Sequence, residues 1–209
     1  WIKNKKIETN LKKIILFILS VLISFLIAKY LNSKILYLTA IISAGMYLFF
    51  ISIIDLKNDK QKLSQKISHL AFSILILSII LNSVFSEEVS VNLKNGEEKQ
   101  VSKYLIKFKN ISKSEINNYT SLKAEIGIIQ KDDQLNFYPE LRLYKVPETI
   151  TSEADIKTNL FSDNLVVVNY LKDTDYLNIR YQKKPFMLLI WFSALLLGIG
   201  GLLGLRNNS

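Results

Sequence analysis

The chain has 209 residues, no cysteine and a formal net charge of +9. The missing thiols exclude a disulfide framework, cysteine-based metal motifs and thiol chemistry. The charge does not point to nucleic acid: no basic stripe is interleaved with aromatics, and the polar stretch 86–184 is neutral, with 15 basic and 15 acidic side chains.

In chain order, four apolar stretches approach the roughly 20 residues that a helix needs to cross a bilayer. They are Ile14–Leu31, Ile35–Ile54, Ile67–Phe85 and Phe186–Leu205. Lys29, near the end of the first, lies within snorkelling reach of the headgroups. Asn32, Ser33 and Lys34 join the first two stretches, which predicts an antiparallel hairpin. Residues 55–66, polar and without Pro or Gly, are expected to form a surface helix that continues into the third span and sets His69 about one turn into the hydrocarbon. In the fourth stretch, Gly200 and Gly204, with Ala194 and Gly198 at the same interval, predict a helix packed closely on its neighbours.

Lys3, Lys5, Lys6, Lys12 and Lys13 precede the first span, Lys57, Lys60, Lys62 and Lys66 lie between the second and third, and Arg206 follows the fourth. A basic excess on alternate sides predicts cytoplasmic termini, with residues 86–184 outside the cytoplasm. The expected organisation is three membrane helices within 1–85, an extracytoplasmic domain over 86–184, and a last membrane helix with a short tail over 185–209. With Trp1 at the start and no cleavage motif after the first apolar run, the chain is expected to be a fragment or the C-terminal part of a longer protein.

The segment 86–184 is large enough for one small domain and too hydrophilic for lipid. About six strands are expected, in an antiparallel barrel or sandwich. Val89–Leu93 and Lys99–Phe108 flank Asn95-Gly96, a favoured hairpin pair. Leu122–Ile129 and Leu135–Tyr144 follow as single strands. Thr151–Asn159 is expected to hold a helical turn capped by Thr151 or Ser152. Leu165–Leu171 and Tyr176–Tyr181 flank Asp173-Thr174-Asp175, a second hairpin. The acid pairs Glu87-Glu88, Glu97-Glu98 and Asp132-Asp133 sit near turns and read as solvated rather than as general acids and bases. With no histidine or cysteine in this segment and no phosphate-binding loop anywhere, catalysis by this chain alone is not expected.

His69 is the one histidine, and it stands near the start of the uncharged run Ile67–Phe85. An imidazole in a membrane segment is a functional-site hypothesis that needs a partner. Donation to a carbonyl or headgroup, a proton relay, an ion path and metal ligation all remain open at this level. Ser68, Ala71, Ser78 and Asn82 share one small, polar flank, and His69 with Ser73 lies on the adjoining one. This face is expected to meet protein, with the His69 ring pointing inward among packed helices.

Several segments recur in a fixed order. Ser68-His69-Leu70-Ala71-Phe72 opens a helix ending in Asn82-Ser83-Val84-Phe85-Ser86-Glu87-Glu88, and Asn118-Tyr119 and Pro139-Glu140-Leu141-Arg142-Leu143-Tyr144 follow. Thr151-Ser152-Glu153-Ala154-Asp155-Ile156-Lys157-Thr158, Asp163-Asn164-Leu165-Val166-Val167, Lys184-Pro185 and Ile190-Trp191-Phe192 complete the series. Together they resemble the CcmF/NrfE family of cytochrome c haem lyase subunits over most of residues 62–205.

The resemblance implies that His69 is one axial ligand, through haem iron, of a resident haem b in an inner-membrane protein. That haem would reduce an incoming haem, delivered by a periplasmic haem chaperone, for attachment to apocytochrome c. The family's second histidine ligand and its tryptophan-rich haem-holding motif have no counterpart here, Trp1 and Trp191 being the only tryptophans. The resemblance therefore implies that a missing N-terminal portion or companion lyase subunits supply them. Arg142 and Tyr144 could contact a haem propionate or a partner. Their own chemistry favours Arg142 pairing with Glu140 and Tyr144 packing on the β core. Trp191 is read as lining a helix interface or the bilayer. The competing reading is a haem-free, membrane-anchored scaffold whose β domain binds partner subunits.

Overall fold

The computed structural model describes residues 2–31, 35–57, 61–131, 133–171 and 174–206, and the side chains of all but 2–10, 35 and 206 among them. Trp1, the Asn32-Ser33-Lys34 turn, Asp59, Lys60, Asp132 and Asp173 lie outside the described residues. Helices α1 (Ile2–Tyr30), α2 (Ile35–Asp55) and α3 (Leu63–Phe85) come first. Ten strands follow, β1 (Glu87–Leu93) to β10 (Leu177–Pro185), and then α4 (Met187–Arg206). The helices form one compact unit and residues 86–185 another. Leu11–Tyr30, Leu36–Asp55, Leu63–Phe85 and Met187–Leu205 are long and apolar enough to cross a bilayer, with mean hydropathy of 2.0 to 2.4. The chain is a multi-pass membrane protein.

Among the described residues of 55–66 no surface helix precedes the third span. α2 ends at Asp55, residues 56 and 57 are a turn, and α3 begins at Leu63. The backbone N–H of Lys62 donates to Gln65 Oε1 at 3.3 Å, half of a capping box that starts α3 there. His69 therefore lies six residues into its helix, about 9 Å along the axis.

Hydrocarbon offers no hydrogen-bond partners, so each buried hydroxyl must find one within the bundle. Ser24 donates to Ser20 O at 2.7 Å, Ser20 to Leu16 O at 2.8 Å, Ser73 to Leu70 O at 2.7 Å and Ser193 to Ile190 O at 2.9 Å. With their hydroxyls turned back onto their own helices, these serines behave as small residues. Close helix contacts follow. A Cβ on Gly45 of α2 would meet Ile80 Cδ1 of α3 at 3.0 Å. On Gly200 of α4 it would collide with Ser68 Oγ and meet Ser68 N at 3.1 Å, and on Gly204 it would reach Ser64 Cβ at 3.9 Å. Gly200 and Gly204 are thus the close-packing pair expected from their spacing. Gly198 instead faces open space.

In the β unit, two antiparallel sheets share one core. One has the order β1-β10-β9-β8, and the other β2-β3-β4-β6-β7 with β5 also on β4. Strand alternation supplies the core: Tyr104, Ile106 and Phe108 from β3 (Tyr104–Ile116), Ile126 and Ile128 from β4 (Tyr119–Gln130), Val166 and Val168 from β9 (Ser162–Tyr170), and Ile179 and Tyr181 from β10. The β9–β10 hairpin forms as expected, with Leu177 opposite Tyr170.

Three expectations are corrected. Asn95-Gly96 makes a turn, with Gly96 at φ 84°, but β1 pairs with β10 and β2 (Glu98–Val101) with β3, so the turn carries the chain between sheets. Leu135–Tyr144 is two strands, β5 (Asp133–Phe137) and β6 (Glu140–Lys145), because Pro139 cannot donate to a ladder. The Tyr138 N–H leaves the sheet to reach Asp155 Oδ2 at 2.7 Å. Thr151–Asn159 contains no helical turn. It holds the end of β7 (Glu148–Glu153) and all of β8 (Asp155–Thr158), on different sheets. In β8, Ile156 is 55% exposed while Asp155 and Lys157 share the inner face with Val166 and Asn164, so the apolar alternation that would identify a strand is inverted; in β7, Ile150 shares the face of Leu143 and Leu141 yet is 57% exposed.

Gly200→Leu is expected to weaken the α3–α4 contact by about 1–3 kcal/mol, the usual cost of overpacking. Thermal melts in detergent check this, with Gly198→Leu staying near wild type and Ser68→Ala partly relieving Gly200→Leu.

Candidate functional site

The rotation of α3 decides what His69 can meet. Ser64, Ala71 and Ser78 are buried, and with Ser68 they form the side that receives α4. Ser73 is fully buried on another side. Between these sides a stripe remains open: Gln65, His69, Phe72, Ile79 and Ser83 are all exposed. Their spacing of three, four or seven residues places them along one line of the helix. The expectation of an inward-pointing His69 ring is therefore corrected. The ring lies on the open surface of this chain's bundle, although Ser73 is only about 40° around the helix.

The backbone of His69 is held firmly. Ser52 Oγ of α2 lies 2.9 Å from Leu48 O and 3.3 Å from His69 O, so one hydroxyl ties the His69 turn to α2. Exposed Lys62, seven residues before His69, continues the same line at the start of the helix, and among the described residues no group of three or more His, Cys, Asp or Glu could hold a metal ion. What the stripe offers is one imidazole flanked by apolar surface, with Phe72 48% and Ile79 46% exposed. That donor set suits a flat apolar group ligated from one side, with any opposite ligand from outside this chain.

Arg142 pairs as its chemistry suggested, with Nη2 3.1 Å from Glu140 Oε2, and adds Glu153 Oε1 at 3.8 Å from Nη1. Donation from Arg142, then from Ser121, holds the Glu140 carboxyl below its usual range. The Arg142 Nε is buried without a partner. Tyr144 does not pack in the core. It lies on the sheet face opposite Leu141, with its ring centroid 5.2 Å from that of Tyr119, over which Arg142 also sits at 5.1 Å. Trp191 is 66% exposed on α4.

The acid pairs are held by cations and donors rather than gathered into an active site. Glu98 meets Lys107 at 2.6 Å, Glu88 accepts from Gln182 at 2.7 Å, and Glu97 accepts the Lys94 N–H at 2.9 Å. Glu87 differs, because one of its donors is buried. Lys103 Nζ and Tyr104 Oη each approach it at 2.6 Å. Burial opposes its charge, yet these donors and the lysine field outweigh burial and hold its pKa below the ordinary 4.5.

The rings of Tyr104 and Tyr181 meet edge-on at 4.9 Å, and Tyr181 donates to Asn164 Oδ1 at 2.8 Å. Burial raises both phenols, Tyr181 to about 12, so both remain donors at neutral pH. The two rings line a cavity of about 220 Å3 that Asn164, Lys183, Gln130 and Asp133 complete. The sequence reading missed this cluster, because each tyrosine occupies an ordinary inward strand position and nothing local pairs it with Glu87.

Comparison with known proteins follows the same division of the chain. Residues 84–185 match the family model described as CcmF C-terminal beta-sandwich. The cytochrome c-type biogenesis protein CcmF of Haemophilus influenzae is 32% identical over 139 residues, 66% of this chain and 21% of that protein. CcmF of Pseudomonas aeruginosa is 29% identical over the same shares. The probable cytochrome c-type biogenesis protein NrfE of Escherichia coli is 25% identical over 66% of this chain and 25% of its own length. A solved structure named Cytochrome c Heme Lyase CcmF shares the fold with a TM-score of 0.68 at 12% identity, over 90% of this chain and 33% of that one. The aligned regions thus span about a fifth to a quarter of the curated relatives' length.

Tyr104→Phe is expected to cost about 1–2 kcal/mol, because it removes a hydrogen bond to a charged acceptor. Because the folded state favours ionised Glu87, its contribution is present above pH 4.5 and fades as pH falls through the depressed value. Denaturant unfolding of the full chain between pH 3 and 7 checks both, with Glu87→Gln expected to flatten that part of the acid dependence.

Proposed function

From a chain that corresponds to the C-terminal part of the CcmF/NrfE family, we propose a membrane component of a cytochrome c haem lyase in which His69 is one axial ligand of a haem b. The observation that carries this reading is an imidazole exposed on an apolar helix stripe, where lipid cannot satisfy its nitrogens. A neutral imidazole donates a lone pair to iron, and the exposed Phe72 and Ile79 suit the apolar body of a macrocycle. Such a group, when bound, supplies one-electron transfer to an incoming haem. His69 holds and orients the iron, and Ser52 and the α3–α4 seam keep the His69 backbone from turning. The opposite ligand comes from the remainder of the lyase, either an N-terminal portion or a companion subunit.

In this reading residues 86–184 face the periplasm and both ends of the chain face the cytoplasm of an inner membrane, in keeping with the basic flanks of the spans. The β domain is the docking surface for a periplasmic haem chaperone and apocytochrome c. Its balanced charge suits partners recognised by shape and local ion pairs rather than by a long-range field.

The test is the optical spectrum of the complete purified assembly. The wild type is expected to show a reduced b-type band that His69→Ala loses. The side chain is exposed within this chain, so its helix packing should be little changed, and size-exclusion chromatography of the variant checks that the assembly stays intact. An unchanged spectrum, or a wild type with no haem band, would instead support a haem-free anchor whose β domain binds partner subunits.

A further inference from the structure

The loop between β8 and β9 is built against its own turn chemistry. Thr158 pairs with Asp163, and the Asn159 N–H donates to Ser162 O at 3.0 Å, leaving Leu160 and Phe161 as the two tip residues. Two-residue hairpin tips favour Gly, Asn and Asp, which turn tightly at little cost and remain solvated. Here the tip carries two large apolar side chains, Leu160 71% exposed and Phe161 78% exposed. The loop is not slack. Asn159 Oδ1 accepts from the N–H groups of both Phe161 and Ser162, at 2.9 and 2.8 Å, so the two side chains are presented on a braced turn.

The position of the tip identifies what it meets. Ser162 is the cross-strand partner of Pro185, and the span Met187–Leu205 begins two residues after that proline. Neighbouring strands are about 4.8 Å apart, and each residue advances about 3.3 Å along a strand. Leu160 and Phe161 therefore lie at the end of the β unit where Pro185 leads on to that span, one or two residues beyond Pro185 along the strand direction. On the far side of β10, Glu87 opposite Lys183 opens β1 directly after α3. Lys184, just before Pro185 and on the strand face opposite Lys183, adds a cationic side chain of the kind that meets lipid phosphates.

We propose that Leu160 and Phe161 insert into the headgroup–acyl boundary of the bilayer as a lipid anchor of the β domain. A paired apolar tip with a lysine on the adjacent strand has the chemistry of an interfacial anchor. The inference does not depend on haem binding and stands or falls separately from it.

Because the chain has no cysteine, single substitutions give unique labelling sites. Leu160→Cys, Phe161→Cys and Val146→Cys would each carry an environment-sensitive fluorophore in the full chain, reconstituted in phosphatidylcholine–phosphatidylglycerol vesicles. Val146 is 81% exposed in the β6–β7 turn and serves as the aqueous reference. The expected result is several-fold stronger quenching by lipid-borne nitroxide at 160 and 161 than at 146, with the reverse order for aqueous iodide. Adding Phe161→Ser to the chain labelled at 160 should reduce the lipid quenching. Iodide quenching at 160 and 161 equal to that at 146 would overturn the proposal. Shielding from both quenchers would also overturn it, because the tip would then be covered by protein.

Discussion

The approach of α3 to α4 at Ser64, Ser68, Gly200 and Gly204 is the contact on which the functional reading turns. In lipid there is no aqueous reward for helix association, so backbones must come close enough for dispersion to act over many atoms. Gly200 permits that approach, since a Cβ there would collide with Ser68. Once this side of α3 is fixed against α4, and Gly45 admits α2 against Leu77 and Ile80, the rotation of α3 is settled. His69, Phe72 and Ile79 are then left on the surface that neither neighbour covers. The direction of the imidazole is thus a consequence of where small residues fall on the same helix, not of anything at His69 itself.

The β unit solves a different problem. Without disulfides it relies on a core made by strand alternation, and its charged groups are spent on local pairs such as Lys107–Glu98 and Arg142–Glu140. Exposed pairs of this kind add little stability, yet they leave a surface without a strong net field. The buried phenols of Tyr104 and Tyr181 are the exception. Each finds one polar partner, Glu87 and Asn164 respectively, so the core contains hydroxyls without orphaned donors. Polar groups are thereby concentrated around one small cavity.

The helical unit leaves much of its apolar surface uncovered. A single imidazole on an open apolar stripe, and helices whose apolar side chains are largely exposed within the chain, both call for surroundings that the chain does not provide. The match to about a fifth of CcmF is consistent with that picture.

Four spans and the intervening β domain were legible in the sequence, because hydropathy over about 20 residues is a local property. The β9–β10 hairpin and the Gly200–Gly204 seam were legible for the same reason. The partner of β1, the split at Pro139 and the identity of Thr151–Asn159 were not. A turn motif such as Asn95-Gly96 fixes a reversal without fixing which strand lies alongside. The inverted alternation of β8 and the exposure of Ile150 in β7 hide two strands from any reading of apolar period. The outward direction of His69 depended on which side of α3 each neighbouring helix occupies, and the Glu87–Tyr104 and Tyr181–Asn164 pairs on strands meeting across 17 residues of sequence. Sequence determined which stretches are long and apolar enough to span a membrane and that the segment between the third and fourth is built of strands. Only the tertiary structure decided which faces met, because facing is set by packing among distant segments.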